Sequence, residues 1–292
     1  MSVNPFQVMR ARYFLIVFAL LILIARSSGD LLTSIFHIQN SSFINILIFY
    51  ILPIIWIFYE YRKHRISFSL FVNKNETFNL VQVLYITVML CMFSYGYLIL
   101  YMYSFAWITP DFIMNALHEP IIDSTGGYVY QVIRVVFIAP IIGEFVFRGF
   151  LLQRFATKWG TSIATIVVAI LFALLHVDFL GAAIFSIVLS IVLSIVLSIV
   201  YIRTKSLLMP IAIHMLNNAF VMGASFLISR EKIMSFADFS NYTTFFPGLI
   251  IFITGLNLVL IFLFVNRKYW SKEVPVIYAE QEKSFSDVVG SK

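Results

Sequence analysis

The chain is a succession of long apolar runs, each closed at its ends by a few polar or charged residues. The runs lie near Tyr13–Ala25, Phe43–Tyr59, Leu80–Met102, Tyr130–Leu152, Thr161–Leu180, Ala182–Ile202, Leu207–Ile228 and Thr244–Val265. An α-helix rises 1.5 Å per residue, so about 20 apolar residues cross a hydrocarbon core of about 30 Å. The pattern predicts an all-α polytopic membrane helical bundle with about eight transmembrane helices. The first run is the shortest, held between Arg12 and Arg26. The segment after it, Arg26 to Asp30, lacks a small-x-small cleavage site, so an uncleaved signal-anchor helix is expected. The organisation expected is three membrane helices over residues 1–129, a core over 130–228, and a last helix with a cytoplasmic tail over 229–292.

Composition agrees with this pattern. Apolar residues make up 61% of the chain and charged residues 12%, whereas soluble domains carry roughly 45–50% and about 25%. A surplus that includes 31 Phe needs lipid to cover it. The net charge of +6 does not point to nucleic acid, because the bases flank apolar runs as they do beside anionic headgroups. They are also unevenly shared. Arg10, Arg12, Arg62, Lys63, Arg65, Lys74, Arg154, Lys158, Arg203, Lys205, Arg267, Lys268 and Lys272 fall on one set of alternate connections. The other set holds Arg26, Arg230 and Lys232 with Asp111, Glu119 and Asp123. This asymmetry predicts a multi-pass protein of the cell membrane with both termini cytoplasmic. The lone cysteine, Cys91, sits inside an apolar run and excludes an intrachain disulfide.

Polar residues inside the runs carry the candidate chemistry, since an ionisable group at bilayer depth is costly and marks function by default. Glu144 and Arg148 are i and i+4 in the fourth run, on one helix face and able to pair. Pro140 just before them removes a backbone hydrogen bond and invites a kink. Arg134 is a further charge in the same run. His176 lies in the fifth run, and His214 and Asn218, again i and i+4, in the seventh. A carboxylate, two imidazoles and a carboxamide form a working set for hydrolysis: one takes a proton from water, others orient it or bind a metal, and the amide donates to an oxyanion. The sixth run reads SIVLSIVLSIVLSIV from Ser186 to Val200. Its serines form a stripe along one helix face, expected to serve close helix packing.

Three segments resemble, in order, the three motifs of the CPBP family, which includes CAAX prenyl proteases and bacterial Abi-type proteins linked to bacteriocin immunity. The first motif, Glu-Glu-x-x-x-Arg, is matched by Gly143, Glu144 and Arg148. The second, Phe-x-x-x-His, is matched by Phe172 and His176. The third, His-x-x-x-Asn or Asp, is matched by His214 and Asn218. The resemblance covers about Tyr130 to Ile228. It implies an intramembrane endopeptidase acting on a membrane-associated peptide or protein, with Glu144, His176, His214 and Asn218 as catalytic residues and Gly143, Arg148 and Phe172 supporting them. No cofactor is certain; zinc or another divalent metal would be held by His176 and His214, a sparse set for a catalytic site.

One departure divides the readings. The family's first glutamate, regarded as the activator of water, falls on Gly143, which can neither ligate a metal nor take a proton. Either Glu144 has taken over the base role, or the chain is a catalytically impaired member that acts as a membrane scaffold, regulator or immunity-type factor for another membrane or envelope protein. A transporter using Arg134, Glu144 and the histidines as a relay is the third reading; no inverted repeat of broken helices supports it.

Overall fold

The computed structural model describes residues 12–13, 16–17, 19–20, 51–52, 54–56, 58–60, 62–63, 79–108, 125–176, 183–230 and 241–270, and its regular elements are all helices. They are α1 (Leu80–Ile108), a long compound helix α2 that starts at Thr125 and ends at Trp159, α3 (Thr161–Leu175), α4 (Ala183–Thr204), α5 (Leu208–Arg230), α6 (Tyr242–Val265) and a 3₁₀ turn, Arg267–Trp270. Segments of α1, α2, α4 and α6 are long and apolar enough to cross a membrane, and α3 and α5 contribute shorter apolar stretches. The protein is a helical membrane bundle. The spans expected near Tyr13–Ala25 and Phe43–Tyr59 lie largely outside the described residues.

Local signals in the sequence set the helix ends. Asn79 Oδ1 accepts the Gln82 amide at 3.0 Å and caps α1, and Asn241 Oδ1 accepts the Thr243 amide at 3.1 Å and caps α6. Gly160, at φ 81°, separates α2 from α3, a conformation that costs glycine no Cβ clash. The fifth run was expected to reach Leu180. The helix instead closes at Leu175, where the His176 amide turns back to the Ala173 carbonyl at 2.9 Å and His176 leaves helical geometry (φ −98°, ψ 6°).

Two buried clusters share α4 between them. On one side Phe147, Phe150, Leu151 and Phe155 of α2 meet Ala164, Val168 and Phe172 of α3 and Tyr201 of α4. Trp56 joins them edge-on against Phe150, with ring centroids 5.6 Å apart. On the other side Ile86, Met89 and Phe93 of α1 meet Val196 and Val200 of α4, Ile213 of α5 and Val259 and Phe262 of α6. Apolar residues such as Val88, Ile166, Ile250 and Ile261 face outward, the surface that lipid covers.

Helices α1 and α6 touch backbone to backbone. A Cβ added to Gly96 would strike the backbone of Phe252, and one added to Gly255 would strike the backbone of Met92 and Phe93. Small residues allow this approach, which van der Waals packing then stabilises in a medium without a hydrophobic drive between helices.

α2 is not a uniform α-helix. α-helical Thr125–Val132, Ala139–Glu144 and Gln153–Trp159 alternate with π-helical Ile133–Ile138 and Phe145–Leu152. The wide turns flank the short segment that ends in Glu144, and insertions of this kind distort helices, commonly at functional sites.

Candidate functional site

Glu144 is the centre of a buried polar cluster. Its Oε1 accepts Arg148 Nη1 at 2.9 Å and His214 Nδ1 at 2.8 Å. Glu144 and Arg148 are wholly buried and His214 is nearly so. A carboxylate only accepts hydrogen bonds, so Nδ1 of His214 is the donor and Nε2 is the nitrogen left over. Glu144 Oε2 has no hydrogen-bond partner and no contact with a water-sized space. Two donors converging on one oxygen offset the cost of burying the charge and hold Glu144 against α5.

Arg148 is held from a second side. Its Nη2 donates to the backbone carbonyl and to Oγ of Ser194, both at 2.9 Å, and its guanidinium lies over the Phe172 ring at 5.2 Å. Polar contacts therefore run from Ser194 of α4 through Arg148 and Glu144 of α2 to His214 of α5. The expectation that the serine repeat serves packing alone is corrected here for two members. Ser194 anchors the arginine, and Ser186 Oγ donates to the His176 carbonyl at 2.8 Å, closing the end of α3.

Phe172 joins the imidazoles. Its ring stands edge-on to Phe147 at 5.0 Å and to His214 at 5.7 Å, and lies tilted against His176 at 4.7 Å. His176 is itself exposed. Its Nδ1 lies 2.8 Å from the Phe172 carbonyl. A carbonyl also only accepts, so this histidine donates through Nδ1.

Asn218 is used differently from the other motif residues. Its Nδ2 donates to the Val135 carbonyl at 2.9 Å. The reason lies in α2. The Ala139 amide closes on the Arg134 carbonyl, five residues back. In the same pattern the Val135 carbonyl would receive the amide of residue 140, which is proline and has none. The carboxamide of α5 supplies the missing donor. Arg134, the further intramembrane charge, turns to Gln131 of its own helix, with Nε 2.9 Å from Oε1.

Gly143 is half-buried, and a Cβ there would have no atom within 4 Å. A side chain at this position has room.

Residues 125–220 match the Rce1-like family model, described as type II CAAX prenyl endopeptidase Rce1-like. The matched segment is CAAX-protease-like. All the motif residues, from Gly143 to Asn218, fall within the matched segment of this CAAX-protease-like protein, and α1 and α6 pack outside it. No curated protein matches the chain, and no solved structure does.

As for a metal, no three His, Cys, Asp or Glu side chains gather as a binding group among the described residues. His176 and His214 offer two imidazoles, and the nearby carboxylate of Glu144 is committed to Arg148. The residues present do not make a catalytic zinc site, and no step below runs through one.

The spacing of the motifs and the pairing of Glu144 with Arg148 were readable in sequence; the other partners were not. Val135 carried a signal in Pro140, five residues on, legible only once the helix is known to be π-helical. Nothing in sequence separates Ser194 from the other serines of its repeat.

Proposed function

We propose that this CAAX-protease-like membrane protein is a catalytically impaired member of its family, which binds a membrane-associated peptide or protein instead of cutting it. The observation that carries this reading is the state of Glu144. Its Oε1 is bound by a cation and an imidazole and its Oε2 is sealed, so neither oxygen is open to an attacking water. The neighbouring Gly143 offers space but no proton acceptor. What remains toward a ligand is the imidazole of His214, its Nδ1 held by Glu144 and its Nε2 suited to accept an N–H group of an extended peptide. The partner would be a membrane or envelope protein, the role an immunity-type factor or regulator also requires. The charge asymmetry supports a place in the cell membrane with both termini in the cytoplasm.

One observation favours a second reading. His214 backed by Glu144 has the form of a carboxylate–imidazole pair, an arrangement that elsewhere serves as a general base. In that case the chain hydrolyses peptide bonds with His214, not Glu144, as the base.

A paired assay on full-length protein in lipid separates the two. The chain as it stands, Gly143→Glu, and each with His214→Ala are given membrane-tethered peptides, and cleavage and crosslinking are both read. The proposal expects crosslinking without cleavage from the chain as it stands, and cleavage after Gly143→Glu. Cleavage by the unaltered chain that His214→Ala abolishes would overturn it in favour of the second reading.

A further inference from the structure

Among the described residues, the end of the bundle expected to face the cytoplasm gathers many more cations than anions. Arg154 lies ten residues beyond Glu144 in α2. It is 8% exposed, its Nη1 donates to the neutral Thr157 Oγ1 at 3.0 Å, and its Nε donates to nothing. One helical turn further, Lys158 Nζ sits over the ring of Trp159 at 5.0 Å. Arg203 at the end of α4 meets only amides, Gln82 Oε1 at 2.8 Å and Asn266 Oδ1 at 3.4 Å. In the 3₁₀ turn after α6, Arg267 lies over Phe264 at 4.2 Å and Lys268 over Tyr269 at 5.1 Å.

These groups come from three separate chain segments, yet they border one apolar cluster. Phe155 and Ala156 of α2, Tyr201 and Ile202 of α4, and Leu207 form it, and Trp159 and Tyr269 pack against it. The described carboxylates do not answer them. Glu144 is committed to Arg148 and His214, and Glu60 accepts from Tyr13 Oη at 3.2 Å. A guanidinium taken almost wholly out of water normally has an anion beside it, because desolvation without one is expensive. The helix C-terminus offsets only part of that cost.

We propose that this end of the bundle binds the phosphate of an anionic lipid headgroup, centred on Arg154, with Lys158 and Lys268 at its rim. The phosphate supplies the missing anion, and a guanidinium matches its oxygens with paired donors. A lipid is favoured over a soluble phosphate by the setting. Trp159 and Tyr269 are amphipathic rings of the kind that mark the headgroup level, at the polar ends of apolar helices. The proposal is independent of the pocket around Glu144.

The test uses the full chain in mild detergent, with phosphatidylglycerol and phosphatidylcholine as probes and bound lipid read by native mass spectrometry. Phosphatidylglycerol is expected to be retained over phosphatidylcholine. Arg154→Gln is expected to lower its retention about fivefold or more, from the attraction of one basic residue. Arg134→Gln, within the bilayer and away from this end, is expected to change nothing. Should Arg154→Gln not fold, the exposed pair Lys158→Gln with Lys268→Gln reads the same loss. Parental retention of phosphatidylglycerol in a folded Arg154→Gln or in the lysine pair would overturn the site. Displacement of the lipid by inorganic phosphate would overturn the lipid assignment and give the site to a soluble phosphate.

Discussion

His214 Nδ1 lies 2.8 Å from Glu144 Oε1, the same oxygen that accepts Arg148 at 2.9 Å. Two helices are thus joined through one buried atom. Removing Arg148 leaves a carboxylate deep in the bundle with a single partner, so Arg148→Ala is expected to cost about 3–5 kcal/mol. Glu144→Ala with Arg148→Ala is expected to cost clearly less than the sum of the two single changes. Denaturant unfolding of the four proteins in detergent, read as a double-mutant cycle, measures the difference. Additive losses would show that the pair is not coupled.

The serine repeat provides its own control. Ser194 Oγ accepts from Arg148, whereas Ser198 Oγ, one turn along the same face, is buried without a partner. Ser194→Ala is expected to destabilise by about 1 kcal/mol, the Ser194 carbonyl still holding the arginine. Ser198→Ala is expected to be neutral or slightly stabilising, because it removes an unmet hydroxyl. Equal thermal midpoints for the two variants would contradict the assignment of Arg148 to Ser194.

Asn218 and Pro140 make a pair of a different kind. Asn218→Leu takes the donor from the Val135 carbonyl and is expected to cost about 1–3 kcal/mol. Pro140→Ala restores an amide at the place that carbonyl would use. In the Asn218→Leu background it is expected to recover part of the loss, which thermal unfolding and amide exchange at residue 140 would detect. A double variant no more stable than Asn218→Leu alone would sink this account.

Glycines separate packing from open space. Gly255→Ala and Gly96→Ala drive a methyl into facing backbone and are expected to cost roughly 1–3 kcal/mol or more. Gly143→Ala meets nothing within 4 Å and is expected to leave the midpoint of unfolding within about 0.5 kcal/mol of the parent, the range of substitutions away from special features. A large loss at Gly143 would mean that the space beside it is filled.

The helices were readable because apolar runs of bilayer length admit few other structures. α1, α4, α5 and α6 lie where the runs from Leu80, Ala182, Leu207 and Thr244 place them, within a few residues. The i, i+4 spacing of Glu144 and Arg148 also translated directly into contact. For His214 and Asn218 the same spacing did not reveal their partners: one meets Glu144 and the other Val135, some two turns up α2. Hydrophobic periodicity does not report where a helix widens by one residue per turn, and that widening decides which carbonyl is left unmet. Four serines in identical surroundings carry no mark of which one a neighbouring arginine will choose.

The backbone contact between α1 and α6 bears on how the protein is assembled. Among the described helices α6 is synthesised last, and the surface that receives it, at Phe93 and Gly96, is built from residues made much earlier. α1 also reaches the matched core through α4 and α5. The newborn chain thus holds a seat open until α6 arrives, and a product stopped after α5 would leave that seat exposed in the membrane, available to a stray helix or to a quality-control protease.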